Sequence, residues 1–453
     1  MYLFAGFAIM SIYIETMLIP SLPSIGQQYH VNAAETSLIV SLYLVSGVAL
    51  NPIIGKLGDV YGKKKVLTYI LPIYVIAVGV TGFAPNFTFL LLSRTIQGIG
   101  LTAFPLLISL IQEEFPKDMV PRAIATIVAM FGVGSAIGLP LGSFISNSFG
   151  WQVTYHSAFP FVLIVAALII MKVKESRYTR PNVKVDYIGA VLLAVSLAAI
   201  VFALSEGTAY GWASNLIILL FAIGIVFFAG LLLYEKRATE PILNQKLLGI
   251  KNVLCSNFLV LLAGLAMFFS YQVFAYLFES PAPLGLGYDI FHTGLALLPF
   301  AVFNVIVAPF AGRYIPRLGV KPFFMYGAIL AMIGFALAAF GSGAMLTIVG
   351  EAIIGAGLAL VNIPTVNLLV LSIAQRDMGL ATSLNSVFRF TGSALGAPVA
   401  GLLIATYESR VAFQDAFYLG IVSMIFVIII ASQADEILGK NKKITKLEEE
   451  VSI

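Results

Sequence analysis

The feature that most constrains this chain is a series of apolar runs, each about 20 residues long, recurring from one end to the other. A helix of that length crosses the ~30 Å hydrocarbon core of a bilayer. Only 11% of the residues are charged and 60% belong to the hydrophobic set, against about 25% charged in a soluble domain. Mean hydropathy is +0.98. Lipid is therefore the expected solvent. With no water to satisfy the backbone, a spanning segment must be a helix or part of a closed barrel. The runs lack a period of two, which selects helices. The expected class is an all-α polytopic membrane protein.

Fourteen spans are expected at about 3–23, 36–55, 67–85, 89–110, 123–146, 153–171, 187–205, 215–234, 253–278, 293–312, 323–341, 345–371, 380–405 and 413–432. The first run lacks a basic lead, contains Glu15 and has no clear cleavage site. It reads as a retained span, not a signal peptide. Of the 26 lysines and arginines, 23 fall in even-numbered connections or in the tail after 432. Arg94 and Arg389 lie within spans, and Arg410 alone sits in an odd-numbered connection. The positive-inside rule then puts both termini in the cytoplasm of a cell whose plasma membrane holds the protein. The net charge of +4 is an orientation signal, and nucleic acid is not an expected partner.

Other chemistries find little support. One cysteine, Cys255, excludes an intrachain disulfide and a cysteine metal site. His30, His156 and His292 have no metal-ligand spacing. They fall near span ends expected to be external and solvated. There is no G-x-x-x-x-G-K-[ST] loop and no nucleophile–base constellation. Neither an enzyme nor an ATP-driven pump is expected.

The two ends of the chain repeat. Gly55 and Gly62 recur as Gly312 and Gly319, and Gly98 and Gly100 as Gly355 and Gly357. Gly134-Ser-Ala-Ile-Gly138-Leu-Pro140 recurs as Gly392-Ser-Ala-Leu-Gly396-Ala-Pro398. The repeat pairs spans 1–6 with spans 9–14 and leaves spans 7 and 8 as an inserted hairpin. The expected units are a six-helix bundle over 1–175, the hairpin over 176–245, a second six-helix bundle over 246–432, and a tail over 433–453. Two like halves in parallel topology are a transporter architecture with its site between the halves. The hairpin, outside the repeat, should pack peripherally.

Five segments carry chemistry. In GKLGDVYGKKK (55–65), the positive-inside rule explains the lysines, but not Gly55, Gly58, Asp59 and Gly62 together. In RTIQGIG (94–100), Arg94 stands inside an apolar run, where a charge costs roughly 2.5–3.5 kcal/mol on insertion scales. A partner or a wet cavity is expected, with a purely structural arginine as the alternative. Glu351 occupies the corresponding place in the second half, followed by Gly355 and Gly357. It lies near the outer end of its span, so a solvated structural role competes with an intramembrane one. Glu15 sits in IYIETMLIPSLPSI. Burial penalises its charge and Arg94, if near, favours it. In GVGSAIGLPLGS (132–143), Gly134, Gly138 and Gly142 allow close helix approach. The fifth segment is 185–212, with Asp186, Gly189, Gly207, Gly211 and Trp212.

The first segment closely resembles the loop motif G-x-L-[AG]-D-x-x-G-[RK]-[RK]-[RK] of the major facilitator superfamily. Residues 94–100 resemble its span-4 motif R-x-x-Q-G-x-G, and Glu15 with Thr16 resembles its first-span motif, with glutamate replacing the usual aspartate. Residues 132–143 are similar to its antiporter motif, although Pro140 comes one residue late and Ser143 replaces a glycine. The segments 185–212 and GWQVTYHSAFP (150–160) resemble the fourteen-span drug:proton antiporter branch. Gln152 and Ala158 depart from the latter pattern. The resemblance covers essentially the whole chain.

It implies the major facilitator fold: two six-helix bundles plus an inserted hairpin. It also implies a proton-coupled exporter of small amphipathic or lipophilic compounds, working by alternating access. Proton coupling falls to Glu15, Arg94 and Glu351. A conformational motif falls to Gly55, Gly58, Asp59, Gly62, Lys63 and Lys64. The span-5 motif comprises Gly134, Gly138, Pro140 and Gly142. Candidate cavity residues are Tyr271, Gln272, Tyr276, Asn304, Asn362, Asn367, Asn385 and Arg389. The expected partners are a small-molecule substrate, protons and the lipid bilayer. No cofactor is expected, the proton gradient supplying energy, and the chain is expected to act as a monomer. A substrate-specific symporter or metabolite exporter is the alternative, and a non-transporting receptor a remoter one.

Overall fold

The computed structural model describes residues 1–116, 119–176, 179, 185–238, 241–341, 343–373, 378–406 and 409–435. The expected tail lies, beyond Asp435, outside the described residues, as do Lys117, Arg177, Arg180, Lys184 and Arg376 of the basic connections. Fourteen helices are long and apolar enough to cross a membrane. Spans 1–7 are Tyr2–Tyr29, Ala33–Tyr61, Lys63–Thr81, Phe87–Glu114, Ala129–Phe149, Trp151–Lys172 and Tyr187–Tyr210. Spans 8–14 are Asn215–Glu235, Lys251–Glu279, Ile290–Ile315, Lys321–Phe340, Ala344–Val370, Met378–Thr406 and Val411–Gln433. The number and order are those expected from the apolar runs.

The ends differ for local reasons. Span 2 does not stop at residue 55 but continues through Tyr61, and span 3 starts at Lys63. The segment 55–65 is thus helical except at Gly62, whose φ of 101° breaks the helix. Elongating an existing helix is easy even through polar residues, and the break needs the left-handed region that glycine tolerates. Span 1 passes through a 3₁₀ turn at Ile19–Ser21 before resuming at Leu22–Tyr29. Pro20 and Pro23 there lack backbone donors. Span 4 changes register similarly at Gly98–Thr102.

Large apolar side chains such as Phe83, Met171, Val226 and Phe340 stand exposed on the outside, which only a lipid solvent tolerates over so much surface. Inside, span 1 packs on spans 5 and 6, and span 3 on spans 4 and 6. In the second bundle span 9 packs on span 13, and span 12 on spans 10 and 11. Spans 5 and 10, and spans 2 and 13, meet across the two bundles. Span 7 pairs with span 8 and leans on spans 2 and 13, where that junction lies. The Ser37 and Ser205 hydroxyls meet at 3.2 Å, and Ser196 donates to the Gly224 carbonyl at 2.8 Å. Span 8 is the least buried of the fourteen.

Candidate functional site

Span 1 is pressed onto span 5 by the glycine face. A Cβ on Gly134 would lie 2.8 Å from the Ile9 carbonyl oxygen, and one on Gly142 would lie 2.5 Å from that of Met17. Between them Gly138 meets Thr16 and the Tyr13 backbone. The three glycines follow one another at helical spacing and track the backbone that carries Glu15. Pro140 lies within the same helix. The second bundle repeats the device, with Gly392 against Leu261 and Gly396 against Leu265.

Glu15 is only 6% exposed and its Oε2 atom is buried without a hydrogen-bond partner. Arg94 is fully buried, at 0% exposure. Its Nε donates to the Ile39 carbonyl at 3.0 Å and its Nη1 to Gln97 Oε1 at 3.0 Å. Longer contacts from Nη1 reach Tyr155 hydroxyl at 3.4 Å and the Ile14 carbonyl at 3.5 Å. The guanidinium also lies 4.6 Å from the centre of the Tyr43 ring. Its charge is therefore spread over spans 1, 2, 4 and 6, which is how a buried cation is tolerated. Gln97 is itself tied to Ala77 and Thr81 of span 3.

Arg94 reaches the backbone next to Glu15, its Nη1 lying 3.5 Å from the Ile14 carbonyl. In this conformation they form no direct ion pair: Arg94 Nε and Nη1 bond the carbonyls and amide around them, while Nη2, like Glu15 Oε2, is buried without a partner. Tyr43, Gln97 and Tyr155 are the residues that sequence reasoning did not assign. Gln97 was legible as the fourth residue of RTIQGIG; the two tyrosines had no signal beyond their place in apolar runs.

Glu351 is fully buried at 0% exposure, and both carboxyl oxygens lack partners. This corrects the solvated alternative. Its helix begins at Ala344, so Glu351 lies two turns inside. Among the described residues the second bundle offers it no counterpart of the first bundle's network.

The motif at 55–65 splits by role. Gly58 faces Leu106 of span 4 closely, whereas Gly55 faces open space. Lys63 is buried and pairs with Glu113 Oε1 at 2.6 Å, and more weakly with Asp59 at 3.5 Å. Glu113 also accepts from Ser176 Oγ at 2.5 Å. The Lys64 backbone N–H donates to Glu175 Oε1 at 3.0 Å. Asp59 is left with a 42% exposed side chain.

The expected cavity residues do not converge. Gln272 Nε2 donates to the Ala33 carbonyl at 3.1 Å, and Tyr276 hydroxyl meets Thr36 Oγ1 at 2.6 Å. Both contacts join the bundles at the end that carries the 30–32 connection. Gly401 against Ala33 and Gly294 against Ser143 close the same end. Asn385 Nδ2 donates to Asn257 Oδ1 at 3.1 Å, Asn304 Nδ2 to the Gly355 carbonyl at 3.3 Å, and Asn367 Nδ2 to the Ile363 carbonyl at 3.1 Å. A buried amide is paired with an acceptor within reach. Tyr271 is buried with its ring 4.8 Å from that of Phe300. Asn362 keeps a buried, unpartnered Oδ1, and Arg389 is half-buried over the Phe390 ring. Of the histidines, His30 and His292 are exposed, but His156 packs on Phe83 with rings 4.4 Å apart. Among the described residues there is no cluster of histidine, cysteine and carboxylate groups able to hold a metal.

The family model described as "Major Facilitator Superfamily" matches residues 4–397 and 260–447. Multidrug resistance protein Stp of Mycobacterium tuberculosis (strain CDC 1551 / Oshkosh) is 26% identical over 414 residues, covering 89% of this chain and 75% of the relative. Multidrug resistance protein 3 of Bacillus subtilis (strain 168) is 29% identical over 389 residues, covering 84% and 74%. The tetracenomycin C resistance and export protein of Streptomyces glaucescens is 26% identical over 390 residues, covering 85% and 71%. The crystal structure of the human organic anion transporter MFSD10 superposes with a TM-score of 0.63 at 17% identity, covering 95% of this chain and 97% of that one. At that identity the likeness bears on the fold.

Proposed function

The chain belongs to the major facilitator superfamily, and from that premise we propose that it is a proton-driven exporter of small amphipathic or lipophilic compounds. It is a multi-pass integral membrane transporter. The observation that carries the finer reading is Glu15: a buried carboxyl with an unsatisfied oxygen, mid-span, next to the Ile14 carbonyl that Arg94 reaches. An unpartnered buried carboxylate is costly, and a proton removes that cost. Glu15 thus supplies a charge that can be switched without dismantling the network around Arg94. The multidrug-resistance and export names of the relatives support the direction and the substrate class.

By the positive-inside rule the lysine-rich end, at Gly62 and Lys63, faces the cytoplasm. The bundles are bonded together at the opposite end, so the conformation is the one closed to the outside. Alternating access then means parting Thr36 from Tyr276 and Ala33 from Gln272 while the cytoplasmic end closes. Asp59, exposed here while Glu113 holds Lys63, is free to take a new partner in that second state. A proton entering Glu15 from outside competes with substrate and is released inside. The membrane potential contributes about 2.3 kcal/mol per charge per 100 mV when charge is exchanged. No cofactor is needed in this scheme.

The test is solute flux in liposomes holding purified protein, with and without an imposed pH gradient. Glu15→Gln should lower gradient-driven flux by about 5- to 150-fold, the usual range of a coupling free energy, while passive exchange persists. Glu15→Asp should retain much of the flux. Wild-type, pH-driven flux by Glu15→Gln would move the proton site elsewhere, with Glu351 the next residue to change.

A further inference from the structure

The lysines and arginines outside the spans gather at one end of the molecule, with one exception. Arg410, between spans 13 and 14, sits in an odd-numbered connection. By the orientation given above it stands at the outer face. Nothing in the proton-driven scheme uses it. Its side chain is exposed and makes no hydrogen bond or ion pair to any described residue.

Arg410 borders a recess between two helix ends. Ala339, Phe340 and Gly341 at the end of span 11, with Arg410 and Gln414 at the start of span 14, line a cavity of about 290 Å³. Gln414 Nε2 reaches from one helix end to the other, 3.5 Å from the Ala339 carbonyl. The polar side chains of the lining are thus a guanidinium and an amide, and no described carboxylate is among them. Asp415, next to Gln414, lies outside the lining. Such a set selects an anion, and the guanidinium fork matches the paired oxygens of a phosphate.

The rim of the recess is apolar. Phe340 is 73% exposed and Tyr418 41% exposed, with their rings 5.8 Å apart. Met345, Leu346 and Val411 are exposed as well, and Leu346 stands against Gly341 of the lining. Exposed apolar side chains at the ends of spans face acyl chains, and aromatic rings are enriched there at the level of the headgroups. The volume falls just short of the ~300–1,000 Å³ that encloses a drug-sized ligand. It suits a headgroup whose chains stay outside in the bilayer.

We propose that this recess is a headgroup site for an anionic phospholipid of the outer leaflet, with Arg410 binding the phosphate and Phe340 and Tyr418 flanking the chains. Without a described carboxylate in the lining to accept an ammonium, an anionic headgroup is preferred over a zwitterionic one. The leaflet follows from the orientation above, whereas binding depends neither on that orientation nor on Glu15.

A fluorophore on Met345→Cys, in a Cys255→Ser background, reads the lipid beside the recess. Purified protein is placed in phosphatidylcholine vesicles holding a small, equal fraction of either phosphatidylglycerol or phosphatidylcholine with a nitroxide high on its acyl chain. Both leaflets carry the quencher, so the result is independent of orientation. The parent should be quenched as though phosphatidylglycerol were enriched about fivefold, the effect of one basic residue on an anionic lipid. Arg410→Gln should bring the two lipids level, and Arg410→Lys should keep part of the preference. Equal quenching of the parent by the two lipids overturns the assignment. So does a preference that survives in a folded, monodisperse Arg410→Gln protein, since the cation would not then hold the lipid. Inorganic phosphate, compared with chloride at the same ionic strength, should leave the parental preference intact. A preference that phosphate abolishes marks a free-anion site and overturns the lipid as occupant.

Discussion

Arg94 in span 4 and Glu351 in span 12 occupy matching places in the repeat, each followed by a pair of glycines. Their surroundings are opposite. Arg94 is bonded into four helices, whereas neither oxygen of Glu351 has a partner. The two bundles therefore share a scaffold and differ in how their buried charge is treated. The first bundle has built a network that holds a cation in place whatever happens to Glu15. The second holds an acid whose oxygens accept no hydrogen bond from any described residue. A half with a hydrogen-bonded cation facing a half with an unpartnered acid is an asymmetry on which a proton can act.

The comparison breaks first at Arg94. Arg94→Leu strands the acceptors at Ile39, Gln97 and Tyr155 and should destabilise the protein by about 3 kcal/mol, in the range for breaking a buried charged network. Thermal melting of the detergent-purified protein, together with its abundance in the membrane, reads this directly. A melt equal to wild type would show that the network is decoration.

A smaller effect is expected where the bundles are alike. Gly138→Val drives a branched side chain into Thr16 and the Tyr13 backbone, and Gly396→Val does the same to Leu265. Each should cost about 1–3 kcal/mol, the usual penalty for overpacking. Gly55→Ala meets open space and serves as the control that should not lose stability. If the two valines differed as sharply as Arg94 and Glu351 do, the shared scaffold would be the wrong description.

The smallest change in stability, and the one of opposite sign, is expected at Glu351. Glu351→Leu removes a buried group that has no partner, so stability should be unchanged or should rise by about 1 kcal/mol. A loss as large as that of Arg94→Leu would mean that Glu351 carries a structural bond in the ensemble.

Much of the scaffold was legible before any coordinates. Apolar runs of the right length, with lysines gathered in alternate connections, specified the span count, because a helix in lipid has few other ways to satisfy its backbone. The helical continuation through Gly55–Tyr61 was not legible: a polar segment bounded by glycines reads as a loop, and only the φ of Gly62 shows where the helix breaks. Nor were the destinations of the amides. Gln272, Tyr276 and Asn385 looked like cavity residues because they are polar and lie in spans. Their partners are Ala33, Thr36 and Asn257, chosen by which helices happen to pack together.

What the sequence determined by itself was the solvent, the number of spans, the repeat, and the identity of the residues too costly to bury idly: Glu15, Arg94, Glu351 and Arg389. These follow from transfer free energies and periodicity, which are properties of the chain alone. Only the tertiary structure decided which of those charges is satisfied. Hydrogen bonds reach about 3 Å, and whether a guanidinium finds a carbonyl at that distance depends on how four helices from distant parts of the chain cross. Arg94 found its partners on spans 1, 2 and 6 as well as its own, and Arg389, equally charged and also within a span, found only a ring.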